Sequence, residues 1–350
     1  MGAWLALAVA YAVSVQPAGG AEAKRPTRLF SEDQPIRATI RGPISAVVST
    51  PAPARTARPA TLELAVPAVE KHAIQLSPRG LTRRQKDRCT FPPLRVEFTG
   101  KPDNSSLFER QKRLKLTTHC RNATSHEQYV LLEYAAYRML NILSPASLRA
   151  RLGSFDYADT NGRVIESRIG FFVEDPDDAA SRNGLKEIRT TGRIAVAQLD
   201  PAAAARAALF EYMIGNTDWS MRAGPQGDIC CHNFRLFGAA ANSQAALVPV
   251  PYDFDASGLV NAPYAVPSDG LRISSVRDRQ YRGYCAHNSQ ALAAAAEFRA
   301  KQAQIVGVLS TIPGLDERRR AGAAAYLDTF FRDIATDETL TKRVLKTCIN

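Results

Sequence analysis

The chain has 350 residues, a formal net charge of +11 and an apolar fraction of 45%. That suffices for one large two-lobed domain or two ordinary ones. Outside the N-terminal run, no window reaches the roughly eighteen uninterrupted apolar residues that a membrane-spanning helix needs. Residues 24–95 carry a charge of +9, from fourteen lysines and arginines against five acids. Only Phe30 and Phe91 fall among those basic residues and no nucleic-acid motif occurs, so a solvated surface is expected and specific nucleic-acid binding is not.

Residues 1–23 hold an apolar run from Trp4 to Val15, then Pro17, two glycines and Ala21-Glu22-Ala23. An apolar run of that length followed by an A-x-A pattern predicts a secretory signal cleaved after Ala23, although the first residues lack Lys and Arg. The mature chain is then expected in the periplasm or secreted, with no membrane span. The six cysteines (Cys89, Cys120, Cys230, Cys231, Cys285 and Cys348) fit no zinc spacing. In an oxidising compartment they are disulfide candidates, and Cys89 with Cys120 is the expected pair, each lying close to a predicted strand.

Residues 24–72 form a basic, Pro/Ala-rich section. Within and just after it, Pro35 to Val48, Leu62 to Val69 and Ala73 to Leu76 alternate as short strands. A turn at Ser77 to Gly80 (SPRG) precedes a basic cluster ending at Arg88. Two strands follow, Leu94 to Phe98 and Arg113 to Thr117. In the second, Leu114 and Leu116 share one face while Arg113, Lys115 and Thr117 share the other. Ser125 to Leu143 is the clearest helix, with Ser125 as expected N-cap and Glu133 beside an apolar stripe. Ser154 to Asp159, a DTNG turn and Ser167 to Glu174 make a hairpin that runs into the acids Glu174, Asp175, Asp177 and Asp178. These acids lack the spacing of a calcium loop.

An alanine-rich helix begins at Pro201 and stops at Gly215. The loop behind it presents Asn216 and Asp218 beside Trp219. A strand enters through His232 and Asn233, and an apolar run from Leu247 to Pro251 delivers Asp253 and Asp255 before Gly258. Three separated breaks therefore offer Asp, Asn and Asp. Phosphoryl transfer uses one carboxylate to orient an attacking hydroxyl and two hard oxygen donors to hold magnesium on the phosphates. The irregular stretch from Asn261 to Cys285 carries Arg272, Arg277, Arg279 and Arg282, placed to receive a substrate. Helices over Ser289 to Leu309, Asp316 to Ile334 and Asp337 to about Lys346 close the chain. A hydrolase reading lacks both G-x-S-x-G and H-E-x-x-H.

The motifs GNTD, HN and PYDFDASG resemble the catalytic half of the spore-coat protein H (CotH) type of atypical kinase-like proteins, and more distantly the secretory-pathway casein kinases. The resemblance implies an α+β, two-lobed atypical protein-kinase-like fold with a β-rich N-terminal section, a small nucleotide lobe over 73–178 and a mainly helical catalytic lobe over 179–350. It implies ATP and Mg or Mn as cofactors, and transfer of the γ-phosphate to a protein or small-molecule hydroxyl. Asp218 is then similar to the catalytic acid, Asn233 to the amide metal ligand and Asp253 to the metal-binding acid. Because the chain has DFD where such proteins have DFG, Asp255 competes with Asp253. Lys115, with Arg95 in reserve, would steady the phosphates and Glu133 would pair with Lys115. Arg79 would lie in the turn that opens the nucleotide lobe, and Glu174 at the hinge facing the adenine. No GxGxxG loop is present. The alternative function is a noncatalytic binding protein of the cell envelope.

Overall fold

The computed structural model describes residues 23–225 and 229–350; the expected signal segment, apart from Ala23, lies outside the described residues. Seven strands form a closed barrel: β1 (Ile36–Arg41), β2 (Arg58–Val66), β3 (Glu70–Pro78), β4 (Leu94–Phe98), β5 (Arg113–Thr117), β6 (Ala150–Ala158) and β7 (Val164–Val173), in the order β1-β2-β3-β4-β5-β7-β6. Closure comes from β1, which pairs antiparallel with β2 and parallel with β6, from Ile36 opposite Gly153 to Arg41 opposite Ala158. Alternation decides the interior. Ile36, Ala38 and Ile40 of β1, Leu62 and Leu64 of β2, Leu94 and Val96 of β4, and Leu114 and Leu116 of β5 are buried together with Phe155, Tyr157 and Phe172. Every second residue of each strand thus points into one core.

This closed barrel overturns the expected two-lobed kinase-like fold. Residues 24–72 are not a section appended to a smaller lobe, because β1 and β2 are staves of the same barrel as β3 to β7. Short alternating strands leave exposed edges, and joining them into one ring removes every edge. The alternation was legible segment by segment, whereas the ring depends on a pairing between segments more than a hundred residues apart.

A short helix, α1 (Ile44–Val48), takes up the second half of the expected Pro35 to Val48 strand, which stops before Gly42-Pro43. The long helix α2 (Thr124–Leu143) lies across the outer face of β6 and β7. Phe171 and Val173 pack outward into the same core as Leu131, Tyr134 and Tyr137 of α2, while Phe172 points into the barrel. Ala123, not Ser125, stands at the N-cap position of α2, and the early Glu127 accepts the Ile169 amide at 3.0 Å. This second core continues through α3 (Pro176–Arg182), β8 (Lys186–Ile188), α4 (Pro201–Ile214), β9 (Phe234–Gly238) and β10 (Val248–Pro251). Strands β8 to β10 form a small separate sheet.

Four helices follow: α5 (Asn288–Ala300), α6 (Gln302–Thr311), α7 (Glu317–Asp333) and α8 (Asp337–Arg343). The single helix expected over Ser289 to Leu309 is broken at Lys301, whose Nζ donates to the Ile142 carbonyl at 2.9 Å and to Glu297 at 2.8 Å.

Three disulfides join Cys89 to Cys120, Cys230 to Cys231 and Cys285 to Cys348. The first is the expected pair, and such bonds persist in oxidising compartments. Among the described residues no helix is long and apolar enough to cross a membrane.

Phe172 is fully buried inside the barrel. Phe172→Ala is expected to lower the unfolding free energy by about 3–5 kcal/mol, measured by denaturant titration of the oxidised protein.

Candidate functional site

Two loops meet behind α4. The first leaves the helix at Gly215, whose φ of +67° suits glycine and closes the C-terminus. The second follows β10 and reaches Gly258. The Gly258 amide donates to the Gly215 carbonyl at 3.0 Å, and the Leu259 amide to Ile214 at 2.9 Å. A Cβ on either glycine would collide with the hydroxyl of Tyr326. The tyrosine is thus clasped between the loops, and close backbone approach is the reason for both glycines.

The first loop holds Asp218 firmly. Its amide donates to Asn216 Oδ1 at 3.1 Å, and Trp219 Nε1 donates to the Asn216 carbonyl at 3.0 Å. Arg282 donates to the carbonyls of Thr217 and Trp219 and stacks on the indole ring. Arg279 and Arg277 brace the loops in the same way, through the carbonyls of Met213 and Gly258. Three of the four arginines expected to receive substrate therefore brace loops.

The Asp218 carboxylate is shared. Oδ1 lies 2.7 Å from His232 Nε2, and Oδ2 accepts from the Asn233 amide nitrogen at 3.1 Å, which also donates to the Asp218 carbonyl at 2.6 Å. Burial pushes the Asp218 carboxyl up, but the hydrogen bond and charge of His232, with the Asn233 amide, outweigh it and hold it below its ordinary value. His232 is raised by the same bond, against the effect of burial. The Asn233 nitrogen is committed to Asp218, so its amide oxygen is the atom left to bind a cation.

Asp253 and Asp255 stand differently. Asp253 has a positive φ of 68° and its amide donates to the Tyr137 hydroxyl at 3.0 Å. Its carboxylate enters no hydrogen bond or ion pair among the described residues. Asp255 accepts from Tyr264 at 3.1 Å and faces Arg83 at 3.5 Å. Burial, and then the charge of Asp253, push the Asp255 carboxyl up to about 6, against the pull of Arg83. Arg83 is itself buried and donates to the Thr118 carbonyl at 2.6 Å. Of the two competing acids, Asp253 is the one without a committed partner.

Asp218, His232, Asn233, Asp253 and Asp255 line a single cavity of about 500 Å³ together with Arg79, Arg83 and Arg88. Gly80, at φ +80°, turns the chain so that Arg79 faces this space, and its guanidinium makes no hydrogen bond or ion pair among the described residues. Lys115 lies outside the lining, with Nζ 4.2 Å over the Tyr252 ring. Burial and the charges of Arg79 and Arg235 bring its ammonium down to about 7, with Asp253 pulling the other way.

The expected Lys115–Glu133 ion pair is not among those of the described residues. Glu133 instead lies in the field of Asp255, Asp253 and Arg83, and burial followed by those two acids pushes its carboxyl well above the usual range. Glu174 is away from the cavity: its buried carboxylate is taken by Arg182 at 3.0 Å and by the Arg149 amide at 2.9 Å. Arg95 pairs with Glu97 at 3.3 Å.

His232, Arg83 and Tyr264 had no assigned role in the sequence reading. The HN dipeptide was a usable signal for His232. Arg83 lay in a basic cluster that gave no reason to single out one arginine.

A metal centre built from protein acids alone is not present, since no group of three or more His, Cys, Asp or Glu among the described residues is arranged to hold an ion. The Asn233 amide oxygen and the uncommitted Asp253 carboxylate do suit magnesium or manganese, which bind through one or two carboxylates plus substrate phosphates. No protein-family model matches the chain, and no curated protein is significantly similar to it.

Two outcomes are expected. Arg83→Met leaves Asp255 and Glu133 buried without their cation and lowers stability by about 3–5 kcal/mol at pH 8. The loss is smaller at pH 5, below the raised value of Asp255, as unfolding at the two pH values will show. By NMR, His232 titrates above the ordinary histidine value, and Asp218→Asn returns it toward about 6.5. The histidine's share of the dyad's stability is fully present below about 6.5 and is lost as pH rises through the raised value.

Proposed function

We propose that the cavity transfers the γ-phosphoryl group of ATP to a hydroxyl of a protein or small molecule. The observation that carries this reading is the convergence, in one cavity of about 500 Å³, of a hydrogen-bonded Asp218–His232 pair, the Asn233 amide, an uncommitted Asp253 and a free Arg79 guanidinium. The likeness of GNTD, HN and PYDFDASG to the CotH type supports the same roles at the level of residues, although the closed barrel departs from the fold it implies.

Asp218 accepts the hydrogen bond of the acceptor hydroxyl and aims its oxygen. His232 and Asn233 fix both carboxylate oxygens, and the depressed Asp218 keeps its charge at neutral pH. A strong base is not needed, because phosphoryl transfer depends mainly on positioning and charge. Arg79 presents a guanidinium whose planar fork suits phosphate oxygens. Lys115 acts on the site from behind Asp253, through its field. Magnesium or manganese, held by Asn233 and Asp253, would supply charge neutralisation on the phosphates. Arg83 keeps Asp255 in place and takes no part in the transfer.

The disulfides and the apolar leader support a periplasmic or secreted location. A second reading, a noncatalytic envelope protein that binds a ligand in the same cavity, is favoured by one observation, the missing Lys115–Glu133 pair.

Incubation of the oxidised protein with γ-labelled ATP and Mg or Mn decides between them. Label transferred to the protein or an added acceptor, and reduced by about 10²–10⁴-fold in Asp218→Asn and Asp253→Asn, supports the phosphotransferase. A nucleotide-induced rise in melting temperature without transfer supports the binding protein, and neither response refutes both. Nucleotide affinity is also expected to fall as pH rises above about 7, where Lys115 loses its proton. In Lys115→Met that pH dependence should be weaker in calorimetric titrations, the remainder being that of His232.

A further inference from the structure

A second cavity, of about 260 Å³, opens where α7 meets the segment that follows the DFD motif. Arg277, Arg318, Arg319 and Asn261 line it over an apolar floor that includes Leu132 and Leu259, and no carboxylate does. Three guanidinium groups around one space, with no acid among them, repel one another unless an anion is present. Two of the three are already oriented. Arg277 stacks on Tyr326 at 4.4 Å and donates one hydrogen bond, to the Gly258 carbonyl at 3.2 Å. Arg319 stacks on Tyr129 at 4.8 Å, and its side chain likewise donates one, to the Tyr129 hydroxyl at 3.3 Å. Arg318 is exposed and makes no side-chain hydrogen bond or ion pair among the described residues. Each guanidinium has five N–H groups, so most of the donors here are unspent.

The position of the arginines adds a second argument. Arg318 and Arg319 occupy the first turn of a seventeen-residue helix, where the helix dipole disfavours cations. The N-cap Asp316 and Glu317 of the same turn offset this in part, but neither lines the cavity.

We propose that this cavity binds a phosphate-type oxyanion, free or as the phosphomonoester of a small molecule. Planar, stacked guanidinium groups match tetrahedral oxyanions through paired N–H bonds, and the apolar floor keeps water from weakening them. The proposal does not rest on the phosphotransferase reading. It does bear on that site, because Arg277 holds the carbonyl of Gly258, in the loop that carries Asp253 and Asp255.

The test is calorimetric titration of the full oxidised protein, at constant ionic strength in chloride, with inorganic phosphate and with glycerol phosphate. Saturable binding of either one, weakened about tenfold in both Arg318→Ala and Arg319→Ala, is the expected result; tenfold is the scale of one charge-assisted hydrogen bond. Arg318 is exposed and unpartnered, so its replacement leaves the fold intact. No saturable binding overturns the proposal, as does binding that survives both substitutions. Binding lost in Arg79→Ala but kept in Arg318→Ala also overturns it, by placing the anion in the larger cavity.

Discussion

Much of this molecule hangs on one buried guanidinium. Arg83 comes from the link between two barrel strands, bonds the Thr118 carbonyl at the end of β5 and faces Asp255 beyond β10, with Tyr264 under it and Glu133 of α2 nearby. It therefore ties the barrel to the helical part of the chain by charge. Burying two acids side by side is costly, and a single buried cation makes that arrangement tolerable. The same interaction occupies Asp255 and leaves Asp253 uncommitted.

A steric constraint complements this electrostatic one. The loops bearing Asp218 and Asp253 are held in register by backbone bonds between Gly215 and Gly258, with the Tyr326 hydroxyl filling the space two side chains would otherwise need. Arg277 and Arg279 stack on that tyrosine, so α7 braces both acid loops from behind. The acids face one cavity over this braced backing. The proposed anion cavity sits against this brace, which makes Arg277 a shared element of two sites.

The barrel supplies the opposite wall. Strand β5 buries Leu114 and Leu116 inside and must therefore direct Lys115 outward, toward the ring of Tyr252 and the field of Asp253. Arg79 reaches the cavity because β3 ends at a glycine-assisted turn. Lys115 cannot turn inward without turning Leu114 and Leu116 out of the barrel core.

The local elements follow from short stretches of the chain. Strands β4 and β5 coincide with the expected Leu94 to Phe98 and Arg113 to Thr117, α4 ends at Gly215 as expected, and the Cys89–Cys120 pair was anticipated. Alternation, helical spacing and glycine conformation are local properties, written over a few residues each. The residues Asp218, Asn233 and Asp253 were also legible, because acids and amides at the ends of apolar segments stand out. Packing between distant segments is what closes β1 and β2 into a seven-strand ring, sets Glu133 near Arg83 and not in a pair with Lys115, gives Glu174 to Arg182 and puts His232 against Asp218. Each of these depends on which distant segments share a buried space, and burial and charge act there on neighbours that sequence spacing does not encode.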